Sequence, residues 1–228
     1  LECGVEERKI IVRPNAADPS VFDPALVNGA LRARYGLEGK TVIGFTGGFV
    51  PWHGLELLVQ AIPPIVRRVS EVVFVFIGDG PQRPAIEAQV RALGVAPHVK
   101  FLGYIAHDDL PEHLALFDVA VLPHSNDYGS PMKIFEYLAM AKPTVAPRLG
   151  PLEDAMTHGR EGLLFEPGNI AALTEALTTL LLDPALRQRM GQQARQRIVR
   201  EGNWLRNAQA TLALYETVAP RAPGGGLR

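Results

Sequence analysis

Gly129-Ser130-Pro131-Met132-Lys133-Ile134-Phe135-Glu136-Tyr137-Leu138-Ala139-Met140-Ala141, continued by Lys142-Pro143-Thr144-Val145-Ala146, places a small-residue turn, a helix and a buried strand in succession. The backbone amides of Ser130 to Lys133 are those a helix leaves without intrahelical partners, so they and the positive end of the helix dipole can take an anion. Lys133 adds a full charge. Glu136 lies three residues along the same face, and a carboxylate accepts hydroxyl hydrogen bonds well. A diphosphate joined to a ribose fits this arrangement.

Working outward from that stretch, short β-branched runs alternate with helical patterns. Residues 10–12, 41–46, 72–77, 99–102, 119–122, 144–146 and 163–165 predict strands. Residues 55–69, 83–93, 110–117, 133–141, 170–182, 184–200 and 204–218 predict helices, the first with a kink or break at Pro63-Pro64. Near-continuous apolar strands separated by helices imply βαβ crossovers and a doubly wound, Rossmann-like parallel sheet, an α/β fold that binds ligands beyond the carboxyl ends of its strands.

A chain of 228 residues with 47% apolar content can bury one sizeable core. Twenty-three basic against twenty-four acidic residues leave a net charge of -1, which offers no broad field for nucleic acid. No apolar run approaches a membrane-spanning length and no signal-peptide pattern opens the chain. The single Cys3 cannot form an internal disulfide. Together these lead us to expect a soluble, cytoplasmic protein. Arg187, Arg189, Arg195, Arg197 and Arg200 crowd one helix and read either as a solvated face or as a peripheral contact with acidic lipid. His107, Asp108, Asp109 and His113 match no recognised tetrahedral spacing, so we expect no metal.

The stretch 129–146 resembles the donor-binding motif of the retaining glycosyltransferases of family 4, also called group 1. That motif has two acids separated by seven residues, an alanine- and methionine-rich helix and a Gly/Lys-Pro-Val-Val strand. Six further blocks match in the family's order: Arg13-Pro14-Asn15-Ala16-Ala17-Asp18, Gly44-Phe45-Thr46-Gly47-Gly48-Phe49, Phe76-Ile77-Gly78-Asp79-Gly80-Pro81, Phe101-Leu102-Gly103-Tyr104-Ile105, Ala120-Val121-Leu122-Pro123-His124-Ser125 and Gly159-Arg160-Glu161-Gly162-Leu163-Leu164-Phe165. The resemblance covers nearly the whole chain and implies one half of a GT-B enzyme with two facing domains. On that basis residues 1–18 are an interdomain connection with a first strand, 19–219 a nucleotide-sugar-binding domain and 220–228 a flexible tail. The donor substrate is a nucleoside diphosphate sugar with no separate cofactor, and the acceptor is bound by a missing amino-terminal domain.

The resemblance also assigns residues. Glu136 holds the ribose hydroxyls. Lys133 is the catalytic candidate, set to stabilise charge on the leaving diphosphate together with the amides of Ser130 to Lys133 and those near Gly47 and Gly48, and the turn Gly129, Ser130, Pro131, Met132, Lys133 and Ile134 is assigned to donor binding. Gly103, Tyr104 and Ile105 sit where the family holds the base, and Gly78 at a ligand-side turn. Gly47 and Gly48 allow close backbone approach to a phosphate. The chain departs from the family at three positions: Gly48 and His53 replace an arginine and a lysine, and Tyr128 replaces the first acid, with Asp127 beside it. We expect His53 to donate one hydrogen bond to a phosphate oxygen or a sugar hydroxyl. These departures keep a non-catalytic donor-binding module open, as the shared architecture does a sugar-nucleotide epimerase. A dinucleotide oxidoreductase is disfavoured, because no Gly-x-Gly-x-x-Gly turn follows the first long strand.

Overall fold

The computed structural model describes residues 4–26 and 29–218. Six strands form one sheet: β1 (Thr41–Thr46), β2 (Val72–Ile77), β3 (Val99–Gly103), β4 (Val119–Val121), β5 (Thr144–Pro147) and β6 (Gly162–Phe165). Every pairing is parallel, in the order β3-β2-β1-β4-β5-β6. That order reverses between β1 and β4, which opens a crevice at their carboxyl ends. All six residues of β2 (Val-Val-Phe-Val-Phe-Ile) are buried, as a central strand covered on both faces requires.

The helices are α1 (Gly29–Arg34), α2 (Leu55–Arg68), α3 (Arg83–Ala92), α4 (Leu110–Ala115), α5 (Met132–Ala139), α6 (Gly150–Ala155), α7 (Ile170–Leu182), α8 (Pro184–Arg200) and α9 (Trp204–Val218). Helix α2 packs on α7, and α5 packs on α8. Pro63 and Pro64 do not break α2, which runs on to Arg68. Buried Leu58, Val59, Ile62 and Ile65 hold it through the loss of two amide donors. Helix α5 ends when Ala141 turns left-handed at φ 54° and the Lys142 amide bonds back to the Tyr137 carbonyl at 2.9 Å.

Residues 10–12 are not a strand. They follow a short 3-10 turn at Glu7–Lys9 in open extended chain, with Val12 79% exposed. Among the described residues, no strand lies beside this apolar, β-branched stretch to pair with it, and the sheet has β3 and β6 at its edges. The chain joins the domain only further on: the Ala17 amide donates to the Gly202 carbonyl at 3.1 Å, and Ala16 and Ala17 are buried. The tail 220–228 lies outside the described residues.

Three of the five crowded arginines are committed to carbonyls. Arg195 donates to Phe22, Ala139 and Pro19, Arg187 to Leu180 and Leu181, and Arg197 to Asp154. They fasten helix ends and loops to one another. Among the described residues no helix is long and apolar enough to cross a membrane.

Candidate functional site

Beyond the carboxyl ends of β1, β2 and β3 lies a cavity of about 560 Å³. Thr46, Gly47, Gly48 and His53 enter it from the end of β1 and its loop, Ile77, Gly78 and Asp79 from β2, and Tyr104 and Ile105 from β3. Leu110 opens α4 into it, and Pro131, Met132, Lys133 and Glu136 face it from the first turns of α5. The predicted ligand loops thus converge where the strand order places a ligand.

Lys133 occupies the centre. Its Nζ lies 4.7 Å from the centroid of the Phe45 ring and 3.1 Å from His53 Nε2. Gly47, at φ 136°, passes so close that an added Cβ would strike the ammonium; only glycine suits both that backbone and that proximity. Burial pulls the Lys133 ammonium down to about 7 from an ordinary value of 10.5, against the opposing influence of Glu136. Glu136 is 7% exposed, and burial raises its carboxyl above the usual range while His107 and Lys133 oppose the rise. In the first turn of α5, the Met132 and Lys133 amides have no backbone hydrogen-bond partner among the described residues. The Ile134 amide already donates to the Pro131 carbonyl at 3.1 Å.

His53 has a different role from the one expected. Its Nδ1 lies 2.6 Å from the Gly48 carbonyl, which only accepts, so Nδ1 carries the proton. Nε2 is then the acceptor for the Lys133 ammonium. Burial, followed by the Lys133 charge, keeps the ring's pKa below its ordinary value, with the bond to Gly48 partly opposing this. Both nitrogens are engaged, so His53 links the Gly47-Gly48 loop to Lys133 and has no N–H left for a phosphate. The Gly47 amide is also taken, by the Ile77 carbonyl at 2.9 Å. Among the described residues the Gly48 amide has no such backbone partner.

Other expected residues stand outside the cavity. Tyr128 is 84% exposed and does not line it. Asp127 beside it is also exposed and away from the lining. Gly129 and Ser130 lead to α5 without reaching the cavity surface, because the turn enters the helix only at Pro131. Ile134 is fully buried on the core side of α5. Gly103 acts through its carbonyl, which accepts from the Gly78 amide at 2.7 Å, and so aligns the two loops without touching the cavity.

Sequence reasoning missed Asp79 as a lining residue, since Gly-Asp-Gly-Pro reads as turn chemistry alone. Its carboxylate accepts from the Gly80 amide at 2.7 Å and from Arg83 at 2.8 Å, and these two bonds lower its pKa. Arg83 therefore offsets the negative charge of Asp79 at the cavity wall. Among the described residues no three His, Cys, Asp or Glu side chains converge to hold a metal. His113 donates to the Asp109 carbonyl at 2.7 Å and pairs with the Tyr35 hydroxyl at 3.1 Å.

Comparison with known proteins identifies the family. The Glycosyl transferases group 1 profile matches residues 40–183. The chain belongs to the group 1 glycosyl transferases. Among curated relatives of this group 1 chain, the 2-deoxystreptamine glucosyltransferase of Streptomyces kanamyceticus is 34% identical over 190 residues, covering 81% of this chain and 48% of the relative. The chain therefore spans about half the length of that relative. Its fold is shared by the crystal structure of Anabaena Alr3699/HepE in complex with UDP-glucose, with a TM-score of 0.79 at 25% identity over 94% of this chain and 60% of that one. It is also shared by the C-terminal domain of a glycosyl transferase group 1 family protein (LpcC) from Francisella tularensis, at 22% identity and a TM-score of 0.74. That match covers 82% of this chain and 99% of the solved domain. The sheet is that of a Rossmann-like GT-B domain.

Proposed function

We propose that this chain is the carboxyl-terminal, donor-binding domain of a retaining glycosyltransferase, in which a separate amino-terminal domain holds the acceptor. The observation that carries the reading is the convergence of the Lys133 ammonium, the opening amides of α5 and the Glu136 carboxylate in one cavity across from the Gly47-Gly48 loop. A nucleoside diphosphate sugar supplies a complement for each: anionic oxygens for the cation and amides, ribose hydroxyls for the carboxylate, and a flat base for the mouth near Tyr104 and Ile105. The domain bounds support the same reading, since the relative above is about twice as long and an isolated C-terminal domain shares the fold.

In transfer, the bond between the anomeric carbon and the diphosphate oxygen breaks, and negative charge develops on that oxygen. Groups fixed before the reaction and aimed at that charge lower the barrier most. Lys133 fits this role: buried against Phe45, it gains most from a proton when a dianion arrives. Glu136 serves binding and orientation, because a carboxylate on the ribose is remote from the anomeric carbon.

Titration calorimetry of the chain with uridine and guanosine diphosphates, the matching diphosphate sugars and the bare nucleosides tests the binding half of the proposal. A diphosphate should bind well above its nucleoside, whereas no binding by any diphosphate overturns the reading. The chain joined to an acceptor domain should then transfer sugar with retention at the anomeric carbon, and the chain alone should not. A second reading, a donor-binding module without transfer, is favoured by the exposed Tyr128 in place of an acid. Binding without transfer in the joined protein would establish it.

A further inference from the structure

Asn15, in the segment ahead of β1, bonds twice to a residue 115 positions away. Its backbone amide donates to Ser130 Oγ at 3.1 Å and its Nδ2 to the Ser130 carbonyl at 2.5 Å. Ser130 immediately precedes Pro131, the N-cap of α5, and Pro131 offers no side-chain acceptor for the helix amides. A helix lacking a side-chain cap leaves its entry direction to other contacts. Here the two bonds from Asn15 fix the peptide that leads into the helix.

Asn15 is itself held from the opposite side. Asn207 of α9 donates from Nδ2 to the Pro14 carbonyl at 2.9 Å, and Ala17 bonds to Gly202 just before α9. Ala16 and Ala17 then share a second cavity of about 90 Å³ with Met132 and Glu136. One short segment thus runs from the start of α9 to the start of α5 and backs the carboxylate of Glu136.

We propose that Asn15 is a positioning residue for the donor site, setting the first turn of α5, and with it the Met132 and Lys133 amides and the Lys133 side chain, through its paired hydrogen bonds to Ser130. This rests on the donor-binding reading above. It makes the segment before β1 part of the phosphate-binding apparatus, although it reaches no cavity surface of the main site.

The test uses Asn15→Asp, which keeps the shape but sets a carboxylate oxygen against the Ser130 carbonyl, and Ser130→Ala, which removes only the Oγ acceptor and guards against a failure of the first variant to fold. Amide hydrogen exchange in the ligand-free chain should quicken selectively over residues 132–135 in both variants. Affinity for uridine or guanosine diphosphate should fall about tenfold in Asn15→Asp and less in Ser130→Ala, with the matching nucleoside changed less than twofold. Unchanged exchange and an unchanged diphosphate-to-nucleoside ratio in a folded variant would overturn the role of Asn15 while leaving the donor reading intact. Equal loss of both ligands with a general fall in Tm would reduce Asn15 to a structural tie. If the unaltered chain binds neither diphosphate, the donor reading falls and takes this inference with it.

Discussion

The phenolic oxygen of Tyr137 lies 2.8 Å from the Thr46 amide and 3.0 Å from the Thr46 hydroxyl, so α5 is bonded to the last residue of β1. Tyr137 is fully buried and Thr46 nearly so. This joins the two halves of the cavity: Gly47 follows Thr46, and Lys133 stands one turn before Tyr137. Tyr137→Phe should cost about 1 to 3 kcal/mol of folding stability, because a buried amide loses its acceptor. Urea unfolding measures it. No loss would mean that Thr46 finds another partner and that the link does not hold the loop.

Lys133→Ala should weaken a nucleoside diphosphate much more than the matching nucleoside, because the ammonium meets the anionic oxygens and Gly48 supplies no charge to replace it. Rising salt should narrow the difference as the charge interaction is screened. Calorimetry at two ionic strengths decides it, and equal losses for both ligands would remove Lys133 as phosphate anchor.

Diphosphate affinity should fall as pH rises above about 7. Lys133 in the free chain sits at about 7, and an anion beside it raises that value, so binding favours the protonated form. Below about 7 the lysine's proton is already present, and Lys133 adds no further pH dependence. Above it, each binding event must take up a proton, at a penalty approaching tenfold per pH unit. Calorimetry at pH 8.5 in buffers of different ionisation enthalpy should register proton uptake, and the dependence should vanish in Lys133→Ala.

Glu136→Ala should weaken both nucleoside and nucleoside diphosphate by about 1 to 3 kcal/mol, through loss of charge-assisted hydrogen bonds to the ribose. Inorganic pyrophosphate is the control and should bind no more weakly. Unchanged nucleoside affinity in the folded variant would place the ribose elsewhere.

Gly78→Ala should damage both fold and site. Gly78 has φ 127°, and a Cβ there would collide with the Gly47 carbonyl, a backbone atom that cannot swing aside. We expect a Tm lower by several degrees, as a loss of about 1 to 3 kcal/mol implies for a domain of this size, together with weaker diphosphate binding. A variant with unaltered Tm would show that the loops after β1 and β2 can separate without cost.

Much of the architecture was legible because parallel strands buried on both faces must be continuous β-branched and aromatic runs, and 72–77 can be little else. The same rule failed at 10–12, where the composition is right and no neighbouring strand exists among the described residues. At the site, Pro131, Met132, Lys133 and Glu136 were readable from one local pattern, the opening of a helix. The engaged nitrogens of His53, the Gly47 amide taken by Ile77, the Arg83 beside Asp79 and the bonds from Asn15 to Ser130 were not.

Residue order alone determined the six strands of the sheet and seven of the helices, the parallel arrangement, and the presence of a cation and a carboxylate at a helix start. Periodicity, capping and turn chemistry are local properties, written within a few residues of where they act. Tertiary structure decided which donors remain for a ligand. A hydrogen-bonding group is available only if no other part of the chain has claimed it, and the claimants of His53, Gly47 and Ser130 come from elements brought together only by the packed sheet.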